Sequence, residues 1–183
     1  VKHEDLQIEG TTEPLNHGLK VMLHLLQGWK TGRIVCADSY FASVQAAVEL
    51  AKKGFRFIGV VKTATKLFPK DFLSSVQLKT RGSCIGVQAT TNTNEDGKMD
   101  LLAFVFCDRN RQYFISSCSN ISHGLPIQRS RVQQVAAVET NEDPVTVDMT
   151  LDCPKAACLY YTTCGKIDQH NRCRQDSLDL EKK

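Results

Sequence analysis

The stretch Arg33-Ile-Val-Cys-Ala37, followed by Asp38-Ser-Tyr-Phe-Ala-Ser43, decides the fold. After Arg33 its next four residues are apolar and partly β-branched, the composition of a buried strand. The next six read as a turn, with Ser43 placed to cap a helix. Val44, Ala47, Val48 and Ala51 then recur at helical spacing until Gly54 ends the run. Phe55–Val61 is a second apolar run and a second buried strand. Strand, helix and strand with tight connections predict a βαβ unit with parallel strands. In open α/β sheets, ligands bind beyond the carboxyl ends of the strands. Asp38 stands there, and carboxylates are the ligands that Mg2+ prefers. An Asp in that position also caps turns, and position alone favours the turn over the metal.

On the N-terminal side, Leu6–Gly10 reads as a short strand and Thr11–Pro14 as a turn. Asn16 is placed to cap a helix whose apolar stripe is Leu19, Met22, Leu23, Leu26 and Trp29. On the C-terminal side, Thr63–Leu78 predicts an irregular or weakly helical connection. Strands follow at Ser83–Thr90, Leu101–Cys107 and Gln112–Ser117, with turn chemistry at Asn92–Lys98 and Asp108–Arg111. Val132–Val138 and Val145–Leu151 add two more. Ala156–Thr162 is apolar and compact, and Ile167–Lys183 has helical composition with a thin apolar stripe. The expected organisation is an α/β core over 1–78, a β-rich insertion over 79–155, and a second core segment over 156–183.

The chain has 183 residues, enough for one domain with a real core, and a net charge of +3 that does not by itself argue for nucleic acid. No segment has the length of apolar sequence that a membrane span needs, and no signal peptide opens the chain. Val1 in place of Met predicts a fragment of a longer protein. The eight cysteines include Cys36 and Cys107 inside apolar runs, where free thiols pack as small hydrophobes, so a reducing compartment is expected.

The run Gly32–Ser43, with Ala46, Ala47, Leu50, Gly54 and Phe57-Ile-Gly-Val-Val61, resembles the piggyBac transposase family. There a strand ends in Asp, then Asn or Ser, an aromatic pair, and Thr or Ala before Ser. Tyr160-Tyr161 and Gly165-Lys-Ile-Asp168 resemble that family's later Tyr-Asn and Gly-Gly-Val-Asp segment, in the same order. The resemblance implies a ribonuclease-H-like catalytic core interrupted by a β-rich insertion. It implies three Asp residues holding two divalent ions, Mg2+ with Mn2+ as a substitute. Asp38 matches the second acid and Asp168 the third. The first is expected before Val1, which leaves the core incomplete at its N-terminus, and this chain alone is expected to leave DNA uncut. The resemblance further implies double-stranded DNA, transposon ends and target, as partner, a nuclear location, no membrane association, and room for a homodimer.

There are departures. Asn171 stands where the family often has a further acid three residues after the third Asp. It shares a helix face with Asp168 and can ligate through its carbonyl, but brings no charge. Lys166 replaces the second Gly of the pair, and the family's cysteine-rich zinc domain has no counterpart before Lys183.

Cleavage and strand transfer at a phosphodiester are in-line displacements in which two metals about 3.5–4 Å apart activate one oxygen and stabilise another. Carboxylates from separate elements must therefore converge. Basic residues beside them suit a phosphate backbone, which makes Lys62, Arg172 and Arg174 candidate DNA contacts. Arg109, Arg111, Arg129 and Arg131 are equally open to DNA or to pairing with acids. Cys153, Cys158, Cys164, Cys173 and His170 invite a zinc reading, but no tight Cys-x2-Cys pair supports it. Two further classes remain: a domesticated, non-cutting DNA- or chromatin-binding relative, and a ribonuclease-H-like nuclease of another lineage.

Overall fold

The computed structural model describes residues 15–62, 65–92, 97–133 and 145–178. It is a mixed α/β fold built on a five-stranded sheet. The elements run α1 (His17–Leu25), β1 (Ile34–Ala37), α2 (Val44–Lys52), β2 (Arg56–Val61), α3 (Lys70–Ser75), β3 (Cys84–Asn92), β4 (Lys98–Cys107), β5 (Arg111–Ser116), β6 (Ile127–Gln133), β7 (Val145–Leu151) and α4 (Lys155–Leu178). The expected strand at Leu6–Gly10 and the stretch 134–138 lie outside the described residues.

The βαβ reading holds. β1 and β2 pair in parallel, with Ala37 opposite Gly59. Ser43 caps α2, accepting from Ala46 N at 3.0 Å. The buried stripe of α2 is Ala46, Ala47 and Leu50, one face over from the expected one, with Val44 and Val48 at its margin. A side chain at Gly59 would meet Ala42 Cβ at 2.7 Å and the Ala37 carbonyl at 2.8 Å. The turn after β1 therefore lies directly on β2, which seats the segment that carries Asp38.

Asn16 caps α1, accepting from Leu19 N at 2.8 Å, and Leu19, Met22 and Leu23 are buried. Trp29 is not on this stripe. The helix ends at Leu25, Gly28 turns the chain at φ +79°, and Trp29 is 56% exposed. A positive φ is open to glycine at little cost, and it stops the periodicity that Trp29 otherwise continues.

The sheet order is β1-β2-β5-β4-β3, and β6 and β7 form a separate two-stranded sheet. The strands expected to form one insertion thus divide: β3, β4 and β5 join the sheet that carries Asp38, with Val61 opposite Tyr113. The boundary expected at 78 coincides with no break in that sheet. Composition marks a run as a strand but says nothing of which edge it joins. β6 begins at Ile127, upstream of the expected Val132.

Strand alternation sorts the core into two layers. Phe57, Val61, Ala103, Val105 and Ile115 face α1 and α2. Ile58, Leu102, Phe104, Phe106 and Phe114 face α4 through Ala156, Ala157, Tyr160 and Tyr161. Phe114 stacks on Phe104 with centroids 4.8 Å apart and meets Tyr160 edge-on at 5.4 Å. Anchored there, α4 runs as one helix through Gly165. One glycine costs a helix about 1 kcal/mol, less than the burial of the tyrosines returns.

Asp108, in the β4–β5 turn, ties three pieces together. Arg81, ahead of β3, donates to Oδ1, and Arg129 Nε of β6 donates to Oδ2 at 2.9 Å. The Arg129 guanidinium also lies 5.4 Å over the Tyr161 ring of α4. Arg109 Nη2 donates to the Ser130 carbonyl and Arg111 Nη1 to the Ser74 carbonyl. Three of the four arginines of this region therefore hold the fold together; the side chain of Arg131 lies outside the described residues. Burial alone would raise the Asp108 carboxyl, but the hydrogen bonds and charges of Arg81 and Arg129 outweigh it and hold it below the usual value of 3.8. A carboxyl depressed in the folded state stabilises above its unfolded value and ceases to as pH falls through its folded one. Urea unfolding from about pH 5 downward is thus expected to show a steeper loss of stability in the native chain than in Asp108→Asn. Parallel curves would remove this pair from the acid response.

Candidate metal centre at the end of the parallel strands

Asp38 is exposed, immediately past β1. Its Oδ1 accepts from Tyr40 N at 2.9 Å and Phe41 N at 3.4 Å, while its carbonyl accepts from Ala42 N at 2.9 Å. The turn-capping role is real and occupies one carboxylate oxygen. Among the described residues Oδ2 accepts no hydrogen bond, so one hard oxygen remains for a cation. Lys62 follows β2 at the same end of the sheet and is exposed. Its carbonyl accepts from both Thr65 N and Thr65 Oγ1.

Packing between β1 and α4 seats Cys164, four residues before the second candidate acid, against β1. Cys36 Sγ, two residues before Asp38, lies 3.8 Å from Cys164 Sγ on α4. Burial, then the neighbouring Cys164 thiol, pushes the Cys36 thiol up to about 12, so it stays protonated and packs as an apolar group. Tyr160 sits one turn earlier on the same helix face. Burial pushes its phenol up, and Cys164, Cys36 and Asp38 add to the effect, which puts Tyr160 within electrostatic reach of Asp38. Asp168 is one turn beyond Cys164, about 6 Å along the axis and on the same face. Asn171, Arg172 and Arg174 follow in α4. The side chains of Asp168, Asn171, Arg172 and Arg174 lie outside the described residues.

The i, i+4, i+8 series Tyr160, Cys164, Asp168 was readable as a helix face, but only the contact with Cys36 shows what that face meets. Of the residues that invite a zinc reading, the side chains of His170 and Cys173 lie outside the described residues. Among the described residues no three His, Cys, Asp or Glu side chains gather to hold a metal. Cys153 is buried, with its Sγ toward the Pro154 carbonyl, and Cys158 Sγ donates to the Leu125 carbonyl at 3.1 Å.

The family described as Transposase IS4 matches residues 5–179. The chain belongs to the IS4 transposase family. IS4-type transposase domains generally use divalent metal ions, and an exposed Asp with a spare oxygen at a strand end fits that donor chemistry. Among solved structures, this IS4-family chain is similar to a piggyBac transposase in the cryo-EM structure of its synaptic complex with hairpin DNA. The TM-score is 0.45 and the identity 17%, over 57% of this chain and 21% of that one, so the chain spans about a fifth of the other's length. No curated protein matches it. Among the described residues no helix is long and apolar enough to cross a membrane.

Proposed function

We propose that this chain is catalytic-core sequence of a piggyBac-like DNA transposase that cuts and joins double-stranded DNA in the nucleus. Asp38 and Asp168 are the metal-holding acids, with Asn171 beside them. The observation that carries the reading is the Cys36–Cys164 contact, which packs the face of α4 leading to Asp168 against the strand that ends in Asp38. Divalent ions, Mg2+ or Mn2+, would supply Lewis-acid activation of the attacking and leaving oxygens. The chain's own residues do the rest. Asp38 is fixed by its turn and by the close seat of Ala42 on Gly59, so its charge is pre-oriented. Lys62, Arg172 and Arg174 are placed to draw the phosphate backbone to that end of the sheet.

The test is excision of a donor element from a plasmid by the full-length protein. Excision is expected in Mg2+ or Mn2+, to be lost on chelation and restored by readdition. A second reading, a domesticated relative that binds DNA without cutting, is favoured by Asn171, where the resembling family often carries an acid. Retained DNA binding with no excision under any divalent ion would select it.

A further inference from the structure

The opposite end of the sheet carries a feature that the cutting reaction does not use. The α1–β1 loop and the α2–β2 loop lie side by side, with Gly32 N donating to the Gly54 carbonyl at 2.7 Å and Arg56 N to the Arg33 carbonyl at 2.9 Å. This brings together Lys30 and Arg33 of one loop with Lys53 of the other and with Lys52 and Arg56, the α2 and β2 residues that flank it, and all five are exposed. The two loops contain no acid. Glu49 on α2 is nearby, and it pairs with Lys52 at 2.7 Å. Five cations against one carboxylate exceed the net charge of +3 on the whole chain, so positive charge is concentrated here. Beside them Trp29 is 56% exposed, with the Arg33 guanidinium 4.9 Å over its ring.

Helix ends explain part of this. Cations complement the negative end of a helix dipole, and Lys52 and Lys53 close α2. Lys30, Arg33 and Arg56 stand beyond any helix, and a large ring held in solvent by an arginine contributes nothing to the core. Cations spread along an exposed edge, with an aromatic among them, fit a polyanion whose charges repeat along a line.

We propose that Lys30, Arg33, Lys53 and Arg56, with Trp29, form a second contact surface for the backbone of double-stranded DNA, at the far end of β1 from Asp38. The choice of duplex DNA as the polyanion rests on the transposase reading above. The four residues of β1 separate the two ends by roughly 13 Å, less than the width of a duplex. A flanking or second duplex held at these loops therefore runs past the cutting end rather than through it. The surface sets affinity, independent of sequence, and leaves the acids untouched.

The experiment is fluorescence anisotropy with the full-length protein and a short labelled duplex of arbitrary sequence, between about 50 and 200 mM KCl. The triple variant Lys30→Glu, Arg33→Glu, Lys53→Glu is expected to bind about tenfold or more weakly, with the slope of log Kd against log salt reduced by roughly 2–3. Trp29→Ala is expected to weaken binding with the slope unchanged. Urea midpoints equal to that of the native protein will exclude misfolding. Binding within twofold of native with an unchanged slope overturns the proposal. So does competition by single-stranded RNA or polyglutamate equal to that by unlabelled duplex. The readout needs no excision, so failure of the cutting reading leaves it legible, and the reverse.

Discussion

Asp38→Asn is expected to abolish DNA excision by the full-length protein while leaving its fold and its DNA affinity intact. The substitution separates the turn-capping role seen in the structure from the metal-holding role proposed for this residue. Asn keeps an Oδ1 that accepts from Tyr40 N and Phe41 N, so the turn survives. What is lost is the negative charge and the second anionic oxygen. A metal poised on a developing oxyanion contributes several kcal/mol, and each 1.4 kcal/mol is tenfold in rate, so a loss of roughly a hundredfold or more is expected. Excision equal to native would show that Asp38 only caps its turn. Asp38→Ala is the weaker test, because it removes the cap as well.

The second large effect is on stability. Phe114→Ala is expected to cost about 3–5 kcal/mol, shifting the urea midpoint by roughly 2 M. Phe114 is fully buried, stacks on Phe104, and meets both Tyr160 and Tyr161 edge-on. It is the ring on which α4 rests. Its loss should therefore loosen α4 more than the rest of the fold, which limited trypsin digestion at Lys166 will detect before global unfolding. Ile115→Ala, on the other face of the same strand, should lower global stability without that local sensitivity. Equal cleavage in the two variants would count against α4 being held by Phe114.

The two predictions meet at one point. If α4 loosens, Asp168 moves relative to Asp38, and the proposed two-acid site, which needs about 0.5 Å precision, is expected to lose activity before the chain loses its fold. Residual excision in Phe114→Ala should fall faster with temperature than native excision does.

Local structure was legible in the amino-acid sequence. The apolar run ending at Ala37, the caps at Asn16 and Ser43, and the turn at Asp38 follow from side-chain type and spacing over a few residues. Those forces act within one or two turns of chain, so periodicity reads them. The motifs around Asp38 and Asp168 pointed to a transposase, and the family match over residues 5–179 agrees. Long-range packing is what makes β3, β4 and β5 extend the sheet of Asp38, turns Trp29 from its helix stripe to solvent, and sets the arginines around Asp108 to hold elements together. It alone joined Cys36 to Cys164, 128 residues apart, and the α1–β1 loop to the α2–β2 loop. Strand order, ion pairs and helix seating depend on the burial available to residues far apart in the chain. No local pattern encodes that, because the same apolar alternation buries equally well against any complementary face.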